Sequence, residues 1–188
     1  KSSMTIFEKK KLERDTFRKL RDEISIIQRE NVEKNVKLYV DSFVNQYKKI
    51  GYIAIYWPLK NEVDIRSLKD KFSLALPRCQ ENKRLTFHPW DDSPLSKDCE
   101  GILSPKNFNS LSYEQINIIF IPCLSVDKNF IRLGYGGGYF DKLRKDNNWR
   151  NVPCIGVLTS NCVSTIQLTR AEWDIPLSGF ITEKEIFV

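Results

Sequence analysis

The sequence has one histidine, His88, and one methionine in 188 residues. A catalytic triad built on histidine is therefore unlike this chain, and so is a zinc site built on paired ligands. Its five cysteines (79, 99, 123, 154 and 162) are odd in number and form no C-x-x-C pair. They read as reduced thiols of a cytoplasmic protein, not as a disulfide framework. No apolar run approaches the roughly 20 residues of a membrane-spanning helix. The opening KSSMTIFEKKKLER lacks the apolar stretch of a secretory signal. Glycine is scarce as well, yet four of the eight glycines fall between Gly134 and Gly138.

What is present is ordinary for a globular chain: 41% hydrophobic and 29% charged residues. The length predicts a single domain over residues 1–188, long enough to bury roughly 70% of the surface its unfolded chain exposes. The formal net charge of +6 suits an anionic ligand or a solvated basic face. Lys and Arg crowd the first 21 residues, but Glu and Asp are interleaved with them in EKKKLERDTFRKLRDE. That mixture favours a solvated helix over a nucleic-acid surface.

Apolar spacing predicts a helix over 5–24, through Ile6, Leu12, Phe17, Leu20 and Ile24. A second helix starts at Ser25, with Gln28 completing a capping box, and runs to about Lys49 on the stripe Val32, Val36, Val40, Phe43, Val44 and Tyr47. Strands are expected at YIAIYW (52–57), LALP (74–77), RLTFHPW (84–90), INIIFIP (116–122), VPCIGVL (152–158) and near 179–182. Asp64 caps a helix to about Phe72, and 91–112 reads as loop. Strands alternating with helices predict an α/β fold with a mostly parallel sheet.

The segment RLGYGGGYFDKLRKD (132–146) lacks both familiar phosphate patterns. Tyr139 stands where the third glycine of G-x-G-x-x-G would be, and no G-K-[ST] follows. Bare backbone can still aim several N–H groups at one anion, and a helix starting near Tyr139 would add its dipole. Asp141 could then hold Mg²⁺ beside a phosphate, with Arg132 pairing from the other side. The alternative is a tight turn with Asp141 as a helix-start residue.

Taken further, FIPCLSVDKNFIRLGYGGGYFDKL (120–143) resembles the signature of the 5-formyltetrahydrofolate cyclo-ligase family, through Pro122, Asp127, Arg132, Leu133, Gly134, Gly136, Gly138, Tyr139, Asp141 and Leu143. RDTFR (14–18), YWPLKNEVD (56–64), PRC (77–79), GILSP (101–105) and EWDIPL with a following IT (172–182) resemble other blocks of that family, in the right order. The resemblance implies a three-layer αβα sandwich of Rossmann-like type. It implies an enzyme dependent on ATP and Mg²⁺ that converts 5-formyltetrahydrofolate to 5,10-methenyltetrahydrofolate, releasing ADP and phosphate. It also implies a cytoplasmic monomer that binds neither nucleic acid nor membrane.

Carried onto this chain, the resemblance implies that Arg14 and Arg18 bind ATP phosphates. Arg132, Leu133, Gly134, Tyr135, Gly136, Gly137, Gly138, Tyr139 and Phe140 would cradle the nucleotide. Trp57 and Glu62 would line the folate site, with the segment from Tyr135 to Tyr139 touching the formyl end. Arg132 and Tyr139 would act in catalysis, and Asp141 and Asp174 would coordinate Mg²⁺. The chain departs from the family pattern in four places: Arg14 stands for a lysine, Phe140 for a second tyrosine, Gly137 for a lysine found in some members, and Ser104 for a glutamate. Three other readings compete: a sugar-phosphate isomerase or CoA-transferase-like enzyme, a basic nucleic-acid-binding module, and a folate binder without turnover.

Overall fold

A computed structural model describes residues 2–106 and 109–188. Helix α1 (Ile6–Asp22) starts where Thr5 and Glu8 cap each other reciprocally, Thr5 Oγ1 accepting from the Glu8 N–H at 3.1 Å and Glu8 Oε2 from the Thr5 N–H at 3.2 Å. Lys19 and Arg21 in its last turn suit the negative end of the dipole. Helix α2 (Ile26–Val44) starts at Ser25, whose hydroxyl accepts from the Gln28 N–H at 3.1 Å. The Gln28 side chain does not return the bond; it reaches Asn161 and Glu183 instead. The helix also stops short of Lys49. Beyond the buried Val32, Val36, Val40 and Phe43 there is nothing left to pack: Tyr47 is 40% exposed, and the chain tightens into i→i+3 bonds at Gln46 and Tyr47.

In chain order the strands are β1 (Tyr52–Ala54), β2 (Leu74–Cys79), β3 (Leu85–Pro89), β4 (Leu95–Lys97), β5 (Leu103–Pro105), β6 (Ile116–Pro122), β7 (Ser125–Val126), β8 (Arg132–Leu133), β9 (Cys154–Val157), β10 (Gly179–Ile181) and β11 (Ile186–Phe187). Seven form one sheet in the order β11-β10-β9-β6-β1-β2-β3. The middle of that sheet, β10 to β2, is parallel; β11 and β3 add antiparallel edges. Pro77 fits inside β2 because β1 pairs only as far as Ala75, so no ladder bond is asked of it.

Both faces of the sheet are covered. One carries α2 and the turn around Leu68, packed on Ile53, Ile55, Leu76, Ile118 and Phe120. The other carries Phe140, Leu143 and Trp149, from α3 (Tyr139–Lys145) and α4 (Asn147–Arg150), packed on Ala54, Phe87, Ile119 and Cys154. This is the αβα sandwich. Helix α1 buries no residue fully and rests on β8 and the 160–162 turn.

Three expected boundaries shift for physical reasons. Arg66–Asp70 is a short 3-10 turn, not an α-helix. Asp64 accepts from the Arg66 N–H at 2.9 Å and grips its guanidinium, closing a tight local turn in place of an N-cap. The expected 91–112 loop contains the β4–β5 hairpin; within it, Asn107 and Phe108 lie outside the described residues. The hairpin β7–β8 was not legible, being two residues per strand. Its turn is stapled by the buried Asp127, which accepts from the Asn129, Ile131 and Leu168 N–H groups.

Candidate active site

The chain crosses from β1 to β2 over the α2 face and from β6 to β9 over the α3 face. Neighbouring strands β1 and β6 therefore send their connections to opposite sides. In doubly wound sheets the crevice beyond the carboxyl ends of such a strand pair is where ligands bind. The segment after β1 supplies Trp57 and Glu62, and the segment after β6 supplies Arg132 to Asp141.

Two glycines lie directly against arginine side chains. At Gly134 an added Cβ would meet Arg132 Nη1 at 2.5 Å, and at Gly136 it would meet Arg14 Cζ at 3.3 Å. Gly136 and Gly138 also hold positive φ, at 93° and 77°. The bare backbone thus lets two guanidinium groups lie against the loop. Arg14 Nε donates to the Gly134 carbonyl at 2.8 Å, and Arg132 Nε donates to the Pro122 carbonyl at 2.9 Å, at the end of β6. The Arg132 guanidinium also lies 5.2 Å from the Phe140 ring centroid.

A cleft beside this loop is lined by Arg132, Phe140, Asp141, Arg144, Asp174 and Leu177. Here Asp141 and Asp174, far apart in sequence, share one wall. The Asp174 carboxylate accepts from the Ala171 N–H at 2.7 Å and forms an ion pair with Lys10 of α1. The Asp141 carboxylate has neither hydrogen-bond nor ion-pair partner among the described residues. Burial, then neighbouring Arg18, lower the Arg14 pKa below its usual value, while Asp174 and Asp141 oppose them. Lys10, Arg14 and Arg132 thus outnumber the two carboxylates, which leaves the site attractive to an anion.

Across the switch point a second cleft is lined by Arg21, Asn61, Glu62, Pro122, Thr159 and Cys162. Glu62 Oε1 accepts from the Leu59 N–H at 2.6 Å, and Oε2 accepts from the Tyr135 hydroxyl at 2.9 Å. The Tyr135 oxygen accepts in turn from Arg21. Burial pushes the Glu62 carboxyl up, against those bonds and the charges of Arg21 and Arg132. Burial and the Glu62 charge also hold the Tyr135 hydroxyl above its usual pKa, so it keeps its proton.

The structure therefore brings Arg14, Arg132, Gly134, Gly136, Asp141 and Asp174 together, and joins Glu62 to them through Tyr135. Other expected residues sit elsewhere. Arg18 is 3.8 Å from Asp15 and 5.9 Å from the Tyr135 ring centroid, close enough to Arg14 to act on its charge but lining neither cleft. Trp57 lines neither cleft; it packs edge-on against Trp90 at 5.9 Å, under the Arg66 guanidinium at 4.4 Å. Tyr139 turns to Glu100, donating at 2.5 Å, which raises its hydroxyl pKa. The Leu133 side chain is buried with Leu124, Ile131 and Leu168. Ser104 receives Arg78 at 2.7 Å and is fully buried, a packing role.

Two residues were missed, Lys10 and Arg21. The signal was there: Lys10, Arg14, Arg18 and Arg21 recur at helical spacing along one side of α1. Reading the N-terminal charge as solvated surface hid that stripe.

A doubly wound α/β sheet with an electropositive, carboxylate-bearing cleft at its switch point is the arrangement in which α/β proteins hold small ligands. Comparison with known proteins narrows this. The model of the 5-formyltetrahydrofolate cyclo-ligase family matches residues 6–183, and the chain belongs to that family. It is 28% identical over 175 residues to the 5-formyltetrahydrofolate cyclo-ligase of Haemophilus influenzae, covering 87% of this chain and 92% of that one. It is 25% identical over 161 residues to the enzyme of the same name from Mycoplasma pneumoniae, covering 86% and 90%. Its fold resembles the NMR structure of Aquifex aeolicus 5,10-methenyltetrahydrofolate synthetase, with a TM-score of 0.77, 27% identity, and 94% and 91% of the two chains covered.

Proposed function

We propose that this single-domain chain converts 5-formyltetrahydrofolate to 5,10-methenyltetrahydrofolate at the expense of ATP, with Mg²⁺, releasing ADP and phosphate. The observation that carries this reading is the convergence of Lys10, Arg14 and Arg132 on the glycine segment beside Asp141 and Asp174, with Glu62 one strand away. Phosphoryl transfer asks a protein mainly for positioning and charge neutralisation, and those residues are of that kind. In this reading the phosphoryl group passes to the formyl oxygen, N10 attacks the activated carbon and loses its proton, and phosphate leaves with that oxygen.

The donor set fits Mg²⁺. No group of three or more His, Cys, Asp or Glu side chains is poised to hold a metal among the described residues. Magnesium commonly uses one or two carboxylates and takes the rest of its octahedron from phosphate oxygens and water. Asp141, with no hydrogen-bond or ion-pair partner among the described residues, and Asp174, paired with Lys10, supply such a pair. The ion, when bound, would neutralise charge on the phosphates.

The chain's own residues would do the rest. Lys10, Arg14 and Arg132 bind phosphate oxygens, with Arg18 further out on the same helix. Arg132 stabilises charge during transfer, and the Gly134–Phe140 backbone follows the nucleotide. Glu62 accepts hydrogen bonds from the N–H groups of the pterin ring, and Trp57 offers an aromatic wall to the folate. Tyr139 contacts the formyl end once its hydroxyl leaves Glu100. The reading takes the chain to act as a cytoplasmic monomer on small molecules. No helix among the described residues is long and apolar enough to cross a membrane.

The experiment is turnover of 5-formyltetrahydrofolate followed by the near-UV absorbance of the methenyl product, with ATP and Mg²⁺ each omitted in turn. Product that requires both is the expected result. Product without ATP, or none under any condition, overturns the reading.

A further inference from the structure

Glu62 is held by a chain of donors that starts outside any role assigned so far. Arg21 of α1 donates to the Tyr135 oxygen, and Tyr135 donates to Glu62 Oε2. A guanidinium has only donors, while a phenol has one proton to give. Because Arg21 can only donate, the Tyr135 proton must point to Glu62, and Glu62 must accept. A neutral Glu62 could still accept from Tyr135 through its carbonyl oxygen, but with both oxygens accepting, one from Leu59 and one from Tyr135, the arrangement favours the carboxylate. Two of the roughly four acceptor sites of that carboxylate are used, by Leu59 and Tyr135. The others remain for a ligand in the cleft that Arg21 and Glu62 both line. Arg21 is not placed there to satisfy itself: its Nε is buried without a partner, and its one carboxylate contact, Asp22, is 3.3 Å away.

We propose that Arg21 is a positioning residue for the folate half of the reaction: through the Tyr135 hydroxyl it aims the Glu62 carboxylate into the cleft and keeps it ionised there. The proposal rests on the assignment of Glu62 to the pterin ring. The charged and titratable groups facing Glu62 are Arg21 from α1, Tyr135 and Arg132 from the glycine segment, and Tyr56 following β1. Cys123 and Cys162 line the same cleft as neutral thiols, both raised by burial. Burial alone drives Glu62 toward its protonated form, so removing Arg21 leaves Arg132 as the one cation opposing it.

The test is direct binding of 5-formyltetrahydrofolate by calorimetry, without nucleotide, in a series from about pH 5 to about pH 8.5, because burial raises the Glu62 carboxyl. Wild type is compared with R21M, R21K, Y135F and E62Q, each checked for its thermal midpoint. R21M is expected to weaken binding on the order of 10-fold at the acid end and less than about 3-fold at the alkaline end. R21K, which still donates, restores most of the acid-end loss. R21M/Y135F binds no more than about 2-fold weaker than R21M, because both changes break one chain. E62Q weakens binding at every pH and flattens the profile. A pH-independent loss in R21M, or no loss, overturns the role of Arg21 while leaving Glu62 in place. Unchanged binding in E62Q overturns the Glu62 assignment itself, and the proposal with it.

Discussion

Asp141 and Glu62 are both carboxylates with uncommon surroundings, and the two call for opposite experiments. Among the described residues Asp141 lines its cleft with no hydrogen bond or ion pair, beside Arg132 and Asp174. Its charge acts on the fold only through the first turn of α3 and at a distance on Arg14. Asp141→Asn should leave the thermal midpoint within a few degrees of wild type and lower kcat by on the order of 10²-fold, with more Mg²⁺ needed for half-maximal rate. A magnesium titration of the steady-state rate checks it. Glu62 instead is a group whose burial raises its pKa above the usual value of a glutamate. The folded state then binds the proton more tightly than the unfolded chain, so stability falls as pH rises from about the unfolded value through the folded one. Glu62→Gln removes that penalty. Denaturant melts should find the variant at least as stable as wild type at neutral pH, with the difference shrinking as pH falls below the folded pKa. A loss of stability on Glu62→Gln that is independent of pH would show that the hydrogen bonds to Leu59 and Tyr135 outweigh burial.

At the scale of elements, α1 is an instrument for placing charge, more than a wall of the core. It has no fully buried residue, and Phe17 and Leu20 are only partly covered. Its start depends on the Thr5–Glu8 capping box. Thr5→Ala should cost about 1 kcal/mol, felt mainly by the first turns of α1. Hydrogen exchange of α1 amides should accelerate while those of β6 do not. The ATP concentration for half-maximal rate should rise, because the Lys10 turn frays with it. The glycine segment gives a controlled comparison. Gly136 and Gly101 both hold positive φ, at 93° and 77°, but only Gly136 faces Arg14, whereas Gly101 has open space. Alanine at either position should cost on the order of 1 kcal/mol through backbone strain. Only Gly136→Ala should also lower kcat/KM for ATP, as measured in steady-state assays of both variants.

The whole molecule is stabilised by its two-faced sheet, with no disulfide among the described residues, where all five cysteines are free. Phe120 sits in the middle of β6, fully buried under α2 with Tyr39 at 6.5 Å. Phe120→Ala should cost roughly 3–5 kcal/mol by cavity formation, a large share of a typical domain's stability. Equilibrium unfolding in urea measures that cost.

Sequence alone determined the parts of this protein that repeat a local period. INIIFIP, apolar on both faces apart from Asn117, reads as a strand covered on both sides, and it is the central β6. The spacing of Val32, Val36, Val40 and Phe43 set the buried face of α2. The glycine cluster and Asp141 marked the site because no packing demand explains so bare a backbone. Lone residues and long-range pairs were decided only by the tertiary structure. Asp174 became the neighbour of Asp141 because Arg144 of α3 donates to the carbonyls of Ile175 and Pro176, fixing that loop against the helix. Lys10 met Asp174 and Arg21 met Tyr135 because α1 lies across β8, a docking that no pattern within α1 encodes. Hydrophobic period is a local property of the chain, whereas the meeting of charges from distant segments is set by how layers pack. The long elements were therefore legible in advance, and the short hairpins and the full site were not.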